Sequence, residues 1–313
     1  DGETARMSAD LRAGAYRFGG YRTFPIRDPK SRVIHAPPFR DRVAHHAIVA
    51  IAGPVLERGA IGQSHACRVG RGLGAALRQA AGWLRRDPWH LKADIAKYYD
   101  SVDHGLLRDL LARRFRERPL LALLDTLLDS HQCLPGRGLP IGALTSQHLG
   151  NFYLDPFDHW VKQTLRIRHY TRHMDDFLFT GEREVLAAAA AAIPPMLEGL
   201  GLRLKAPASP NRASQGAPWL GFVLYPGRSR LNRMGRQRLR RRMKSAEAAC
   251  LRGETTGQAL QAQVTALFAH ARNSSDVAWR RMAASFSRFG EGQEPEPRHA
   301  GRLVDQHGHQ LPV

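Results

Sequence analysis

The sequence predicts an α+β fold in which a small antiparallel sheet carries acidic residues at its strand ends. Three observations carry this. Residues 169–181, His-Tyr-Thr-Arg-His-Met-Asp-Asp-Phe-Leu-Phe-Thr-Gly, set Asp175 and Asp176 between two short apolar and aromatic runs, the pattern of a hairpin. Residues 89–95, Trp-His-Leu-Lys-Ala-Asp-Ile, read as a second strand whose end carries Asp94. Elsewhere apolar residues recur at helical spacing, and beyond Arg233 strand signals almost vanish.

Composition bounds the class. With 313 residues the chain is long enough for two or three subdomains, and 43% hydrophobic content excludes a disordered polymer. Lys and Arg number 47 against 28 Asp and Glu, a net charge of +19, which points to a polyanionic partner and nucleic acid above all. No membrane partner is expected, because Asp, Gly, Pro or Arg interrupts every long apolar run before it reaches the ~18 residues of a span. Cys67, Cys133 and Cys250 lie too far apart for a disulfide framework or a metal-ligand spacing. They read as buried small apolar residues, in keeping with a reducing cytoplasm. Residues 1–15 are mixed polar and carry no signal-peptide pattern, and the start at Asp1 leads us to expect a missing N-terminal piece.

Along the chain, Phe24–Ile34 reads as a hairpin turning at Asp28-Pro29, with Lys30 and Arg32 on one face. A helix follows from Arg40 to Leu56, its apolar side supplied by Val43, Ala47, Val49, Ala50 and Ile51. Arg68-Val-Gly-Arg-Gly-Leu-Gly74 is a flexible basic loop before a helix at 75–86, and Arg68 and Arg71 are candidates to touch a phosphate backbone. Helices are expected from Leu106, over 120–128, and over 145–166, where Thr145 or Ser146 is a candidate cap and Asn151, Asp155 and Asp158 lie off the apolar stripe. The Ala-rich run 182–200 predicts a helix kinked or restarted at Pro194-Pro195. A strand at Leu202–Leu204, a loop over 207–218, and a buried strand Trp219–Tyr225 turning at Pro226-Gly227 follow. Three helices then occupy 233–251, 255–272 and 276–288. The first packs seven cations and no acid into residues 233–244, beside an apolar side of Met234, Leu239, Met243 and Ala246. That density exceeds what solubility requires and points to nucleic acid. Residues 290–313, with His299, His307 and His309, read as a disordered tail.

Two adjacent carboxylates at a hairpin tip fit a solvated turn or a divalent cation. Bringing the hairpin beside the strand at 89–95 sets Asp94, Asp175 and Asp176 together at one sheet edge. Three such carboxylates meet the need of a two-metal phosphoryl-transfer site, with ions roughly 3.5–4 Å apart. Lys30 and Arg32 would neutralise the same phosphates.

These motifs, in this order, resemble a reverse transcriptase over nearly the whole chain. Asp94–His104 resembles the family's first catalytic motif, Gly138–Gln147 the motif under the templating base, and His173-Met-Asp-Asp176 the Tyr-x-Asp-Asp box. Leu202–Lys205 and Trp219–Phe222 resemble the next motif and the primer grip. The resemblance implies a right-hand polymerase fold: fingers over 1–88, N-terminally incomplete, and a palm with an antiparallel sheet over 89–226. Within the palm a helical fingers insertion falls near 104–135; a basic helical thumb covers 227–290 and a tail 291–313.

The same resemblance implies that Asp94, Asp175 and Asp176, with the Ile95 carbonyl, hold two Mg²⁺ ions, for which Mn²⁺ substitutes. Tyr99 falls at the steric-gate position, and Lys30, Arg32, Ile141, Gly142, Gln147 and Lys205 line the nucleotide. Arg68, Arg71, His173, Met174, Trp219, Leu220, Gly221, Arg236, Arg240 and Lys244 meet the nucleic acid. Lys205 is the candidate substitute for a lysine that relatives carry where this chain has Ala208.

Ile141-Gly142 and Ser146-Gln147 replace the commoner Gln-Gly and Ser-Pro. They resemble the reverse transcriptases of diversity-generating retroelements, cytoplasmic enzymes of bacteria or phages. Those copy a template RNA with errors at adenine, extend RNA/DNA primer-template duplexes with dNTPs, and work with a basic accessory variability-determinant protein. Defence-associated or group II intron-type reverse transcriptases are the alternative, and a non-catalytic RNA-binding scaffold is a third reading.

Overall fold

A computed structural model describes residues 2–27 and 31–275. Lys30, the helix expected at 276–288 and the tail with its three histidines lie outside these described residues. The chain divides into two compact units, Asp1–Gly227 and Arg228–Val313.

The first unit opens with α1 (Gly2–Arg12), then β1 (Arg22–Arg27) and β2 (Ser31–Ala36), which pair antiparallel with Arg22 opposite Ala36. Next come α2 (Phe39–Glu57), α3 (Leu73–Trp83) and β3 (Trp89–Asp94). A helical stretch follows: α4 (Tyr98–Ser101), α5 (His104–Arg114), α6 (Arg118–Asp129), α7 (Leu144–Tyr153) and α8 (Asp155–Gln163). The Asp103 carboxylate caps α5 by accepting from the Leu106 amide at 3.1 Å, and Pro119 opens α6 where no amide donor is needed. The acidic hairpin is β4 (His169–His173) and β5 (Asp176–Gly181), followed by α9 (Arg183–Glu198), β6 (Pro210–Arg212), β7 (Ala217–Trp219) and β8 (Phe222–Tyr225).

One four-stranded antiparallel sheet, in the order β4-β5-β3-β6, organises this unit. Its central strands are buried through Leu91, Ala93, Phe177, Leu178 and Phe179. Phe157 of α8 stacks on Phe177 with centroids 4.8 Å apart, and Tyr170 stacks on Phe179 at 4.7 Å. Each such aromatic side chain taken out of water contributes about 1.5–3 kcal/mol. Leu186, Ala189, Ile193 and Leu197 of α9 join the same core.

The second unit contains β9 (Arg228–Leu231), α10 (Arg233–Leu251) and α11 (Gly257–Ala271). Asn232 caps α10 through the Gly235 amide at 2.7 Å. Leu239, Met243 and Ala246 are its buried side, whereas Met234, expected among them, is exposed. Among the described residues no helix is long and apolar enough to cross a membrane.

Several expectations are corrected. The apolar side read for α2 faces outward: Val43 is exposed and Ile51 is 70% exposed. The buried side carries Asp41 and His45 among Ala44, Ile48, Ala52 and Leu56. Those polar groups tolerate burial because they are bonded. Asp41 accepts from Tyr16 Oη at 2.8 Å and the Gly19 amide at 2.7 Å, and His45 Nδ1 lies 2.7 Å from Thr145 Oγ1. The single helix expected at 145–166 is two, because Pro156 lacks an amide donor and its ring clashes with the preceding turn. Neither Thr145 nor Ser146 caps α7, whose N-cap is Ala143. No break interrupts α9 at Pro194-Pro195. The loop expected at 207–218 contains β6, and Leu204 contributes only an isolated bridge to Ile95. Cys67 and Cys133 are exposed and Cys250 is half-buried, so the thiols are not core residues.

Asp155, expected off the apolar stripe, is buried near Asp158. Burial first, and the Asp158 charge second, push its carboxyl up to about 7. A raised carboxyl binds protons in the folded state that the unfolded chain has released. Stability therefore falls as pH rises from about 4 to about 7. Asp155→Asn should remove that slope, gaining at most ~4 kcal/mol relative to wild type at pH 8 and little at pH 4. Denaturant midpoints at the two pH values check this; equal gains at both would exclude it.

Candidate active site

The β3–β5 ladder puts Asp94 directly opposite Asp176, with Asp175 in the turn before it. Register partners share a face, so two carboxylates occupy one side of the sheet end. Backbone bonds tie the third into the same place: the Ile95 amide donates to the Asp175 carbonyl at 3.3 Å. The Lys205 amide donates to the Asp94 carbonyl at 2.8 Å, which brings in the segment after α9. Like charges directly across a ladder repel, and two lysines offset this. Lys92 Nζ lies 3.7 Å from Asp176 Oδ1, and Lys205 Nζ lies 3.4 Å from Asp94 Oδ2. Lys92, two residues before Asp94, shares its face of β3. Among the described residues no three acidic, His or Cys side chains close into a ready metal cage.

The two tyrosines of α4 divide their work. Tyr98 is buried and its hydroxyl donates to the Gly150 carbonyl. Tyr99 is half-buried, and Cys67, Asp175 and Arg32 act on its hydroxyl, whose pKa burial raises most of all. Exposed Cys67 donates its thiol to Gln147 Oε1 at 3.3 Å. Ile141 and Gly142 dock on the strand that carries Arg32: the His35 amide donates to the Ile141 carbonyl at 2.7 Å. Gly142 has φ +118°, and a Cβ there would meet Ile34 Cγ2 at 2.9 Å and the His35 carbonyl at 3.3 Å. Only glycine combines that backbone with that approach. Thus Asp94, Asp175, Asp176, Tyr99 and Arg32 are gathered in one region, with Ile141, Gly142 and Gln147 on the adjoining loop and helix.

Other expected contact residues fare differently. Arg68 is held within the fold, donating from Nη1 to the Ile61 and Ser64 carbonyls at 2.7 and 2.9 Å, whereas Arg71 is exposed. The expected strand Trp219–Tyr225 is a tight hairpin, turning at Leu220 (φ +49°) and Gly221 (φ +83°) between β7 and β8. Trp219 is 1% exposed and belongs to the core, so its expected contact with nucleic acid is withdrawn. Leu220 and Gly221 sit at the turn. His173 pairs with Asp176 across the hairpin, and burial lowers its imidazole pKa, favouring the neutral ring.

Arg172 was not singled out by sequence reasoning, yet it anchors the hairpin. It is wholly buried, and its guanidinium grips buried Asp158 from Nε at 2.9 and 3.0 Å and from Nη2 at 2.6 Å. Nη1 donates to Asn151 Oδ1 at 3.0 Å and to the Met174 carbonyl at 3.2 Å, and Nη2 also reaches the Asn151 carbonyl at 3.2 Å. Tyr170 Oη donates to Asp158 at 2.5 Å. An arginine in mid-strand, with Asp155 and Asp158 on the preceding helix, was the available signal.

In the second unit, Arg233, Arg236, Gln237 and Arg240 line an open recess along α10. Arg240 and Lys244 are exposed and Arg236 half-buried, one helical turn apart in succession.

No family model matches the chain. Among curated proteins, a stretch covering 46% of it is 27% identical over 163 residues to Protein YkfC of Escherichia coli. The nuclear intron maturase 4, mitochondrial, of Arabidopsis thaliana is 29% identical over 179 residues, 54% of this chain. The group II intron-encoded protein LtrA of Lactococcus lactis is 25% identical over 142 residues, 43% of this chain. The matches span 43%, 22% and 23% of those relatives' own lengths. The telomerase of Candida albicans, solved with a TWJ fragment of telomeric RNA, superposes with a TM-score of 0.52 at 11% identity. That superposition covers 93% of this chain and 58% of the telomerase. A Candida tropicalis apo telomerase, truncated from its C-terminal domain, gives 0.52 over 74% of this chain and 60% of its own. The fold is therefore the right-hand polymerase fold, and about half of the chain is similar in sequence to intron-encoded proteins.

Proposed function

We propose that this chain is an RNA-directed DNA polymerase that joins dNTPs to a primer on an RNA template. The observation that carries the reading is Asp94 opposite Asp176 on one ladder rung, with Asp175 in the adjoining turn. The donor chemistry fits Mg²⁺: carboxylates are hard oxygen ligands, and the two lysines drawn to this sheet end mark its demand for positive charge. Asp94, Asp175, Asp176 and the Ile95 carbonyl would hold the ions, with Mn²⁺ as a substitute. When bound, such ions lower the pKa of an attacking hydroxyl and stabilise the leaving pyrophosphate.

The remaining residues bind and orient. Arg32 and Lys205 supply positive charge for the triphosphate, with Lys30 their expected companion. The Tyr99 ring limits space beside the sugar, so that a 2′-hydroxyl is excluded. Ile141 and Gly142 bring bare backbone and an apolar side chain to the template–nucleotide pair, with Gln147 beside them. Met174, His173, Leu220 and Gly221 lie toward the primer end, and Arg71 toward the template backbone. The first unit corresponds to fingers and palm. The second is the thumb, where Arg236, Arg240 and Lys244 track phosphates.

The intron-encoded relatives favour a group II intron-type enzyme. One observation favours a second reading, the error-prone copying of a diversity-generating retroelement with its accessory protein. Ile141 stands where a polar Gln would grip the base pair, on a loop bonded to the strand of Arg32.

Primer extension on poly(rA) with oligo(dT) and Mg²⁺ should fall at least ~100-fold in Asp175→Ala. Equal rates for variant and wild type would sink the polymerase reading. Sequencing the products made on an A-rich RNA separates the two subtypes: accurate copying supports the intron type, frequent errors at adenine the retroelement type. Tyr99→Val should raise ribonucleotide incorporation about tenfold or more relative to dNTPs, read from competition assays. Replacing Arg236, Arg240 and Lys244 together by Ala should flatten the dependence of log affinity on log salt by about two to three, as measured by primer-template binding.

A further inference from the structure

We infer that Arg172 is the positioning residue that fixes the acidic turn, holding Asp175 and Asp176 in the geometry in which they take up divalent ions. The inference rests on the polymerase reading and adds to it a residue outside the carboxylate set.

The argument starts at Met174. Its φ of +55° is a left-handed conformation that a non-glycine residue adopts only when its surroundings hold it. The side chain shown to hold its carbonyl is Arg172, through Nη1 at 3.2 Å. That guanidinium cannot drift, because its other donors are spent on Asp158 of α8 and on the side chain and carbonyl of Asn151 of α7. Nor can its backbone: the Arg172 amide donates to the Gln63 carbonyl at 3.0 Å, and its own carbonyl accepts from the His65 amide at 3.0 Å. Asn151 extends the lattice, donating from Nδ2 to the Ala66 carbonyl at 2.7 Å. Two helices and the hairpin turn therefore meet on one planar cation, while the loop at 63–66 is bonded to the backbone of the same residue and to Asn151. Arginine's rigid fork suits this, whereas a lysine would keep the charge and lose the simultaneous grip on acid, amide and turn.

Arg172→Lys tests the inference, with Tyr170→Phe as its companion. The latter removes one donor to Asp158 from the same buried network and leaves the hold on Met174 intact. Mn²⁺ binding to the full chain without nucleotide, followed by electron paramagnetic resonance, reads the carboxylate site directly. Primer extension and thermal melting run in parallel. We expect about tenfold weaker Mn²⁺ binding and a 10–100-fold slower extension in Arg172→Lys, partly recovered at high Mn²⁺. Tyr170→Phe should melt lower yet bind Mn²⁺ as wild type does. If Arg172→Lys fails to fold, Asn151→Ala, which takes away a partner of Nη1, should show the same loss of Mn²⁺ affinity in smaller degree. Unchanged Mn²⁺ binding in Arg172→Lys, or in Asn151→Ala where it stands in, overturns the inference while active wild type keeps the polymerase reading. Equal losses in Tyr170→Phe also overturn it, reducing Arg172 to a stability role. Wild type that extends no better than Asp175→Ala overturns the polymerase reading itself, and the inference with it.

Discussion

The register of β3 against β5 is the constraint on which the rest of this chain depends. Side chains alternate faces along a strand, so a slip of one residue would send Asp94 to the other side from Asp176. The pairing is secured on the apolar side, where Ala93 meets Phe177 and Leu91 meets Phe179. On the other face the same register forces two acids together. The core thus stabilises the strands, and the sheet end bears the electrostatic cost, eased by Lys92 and Lys205. The pairing of β4 with β5, and the helices that cover both, keep that register from relaxing.

Much of this architecture was legible beforehand, because the signals were local. The acidic hairpin, the strand ending on Asp94 and the basic helix α10 follow from alternation, helical spacing and charge within short windows. What escaped notice depended on partners distant in sequence. The buried face of α2 carries Asp41 and His45, whose burial makes sense only once Tyr16 and Thr145 supply their bonds. Hydrophobicity alone therefore chose the outer face. Arg172 looked like one more cation in a basic protein until Asp158, fourteen residues earlier, was seen facing it. The break at Pro156 was readable locally, but the continuous apolar stripe outweighed it. Trp219 matched a motif position by its neighbours, yet its own ring lies in the core.

Charge is distributed with a similar division of labour. The excess of +19 is a property of the whole chain, but its cations do different things. Arg172 is locked in the interior, and Arg68 is tied to carbonyls of its own loop. Arg108 bridges Asp125 and Asp129 between α5 and α6. The residues that line the recess on α10 are gathered on one helix with no acid among residues 233–244. Net charge announces a polyanion, and placement shows how differently its cations are used.

Gly142 has a mechanical consequence. Its backbone lies so near Ile34 and the His35 carbonyl that no side chain fits between. The separation of the β1–β2 hairpin from the loop at 138–143 is therefore set at the thickness of bare main chain, the smallest spacer a protein can use. A spacer of that kind has no rotamers and cannot be thinned further. A side chain at position 142 could only widen the gap, which makes this residue a dimensional stop between the loop and the strand of Ile34 and His35.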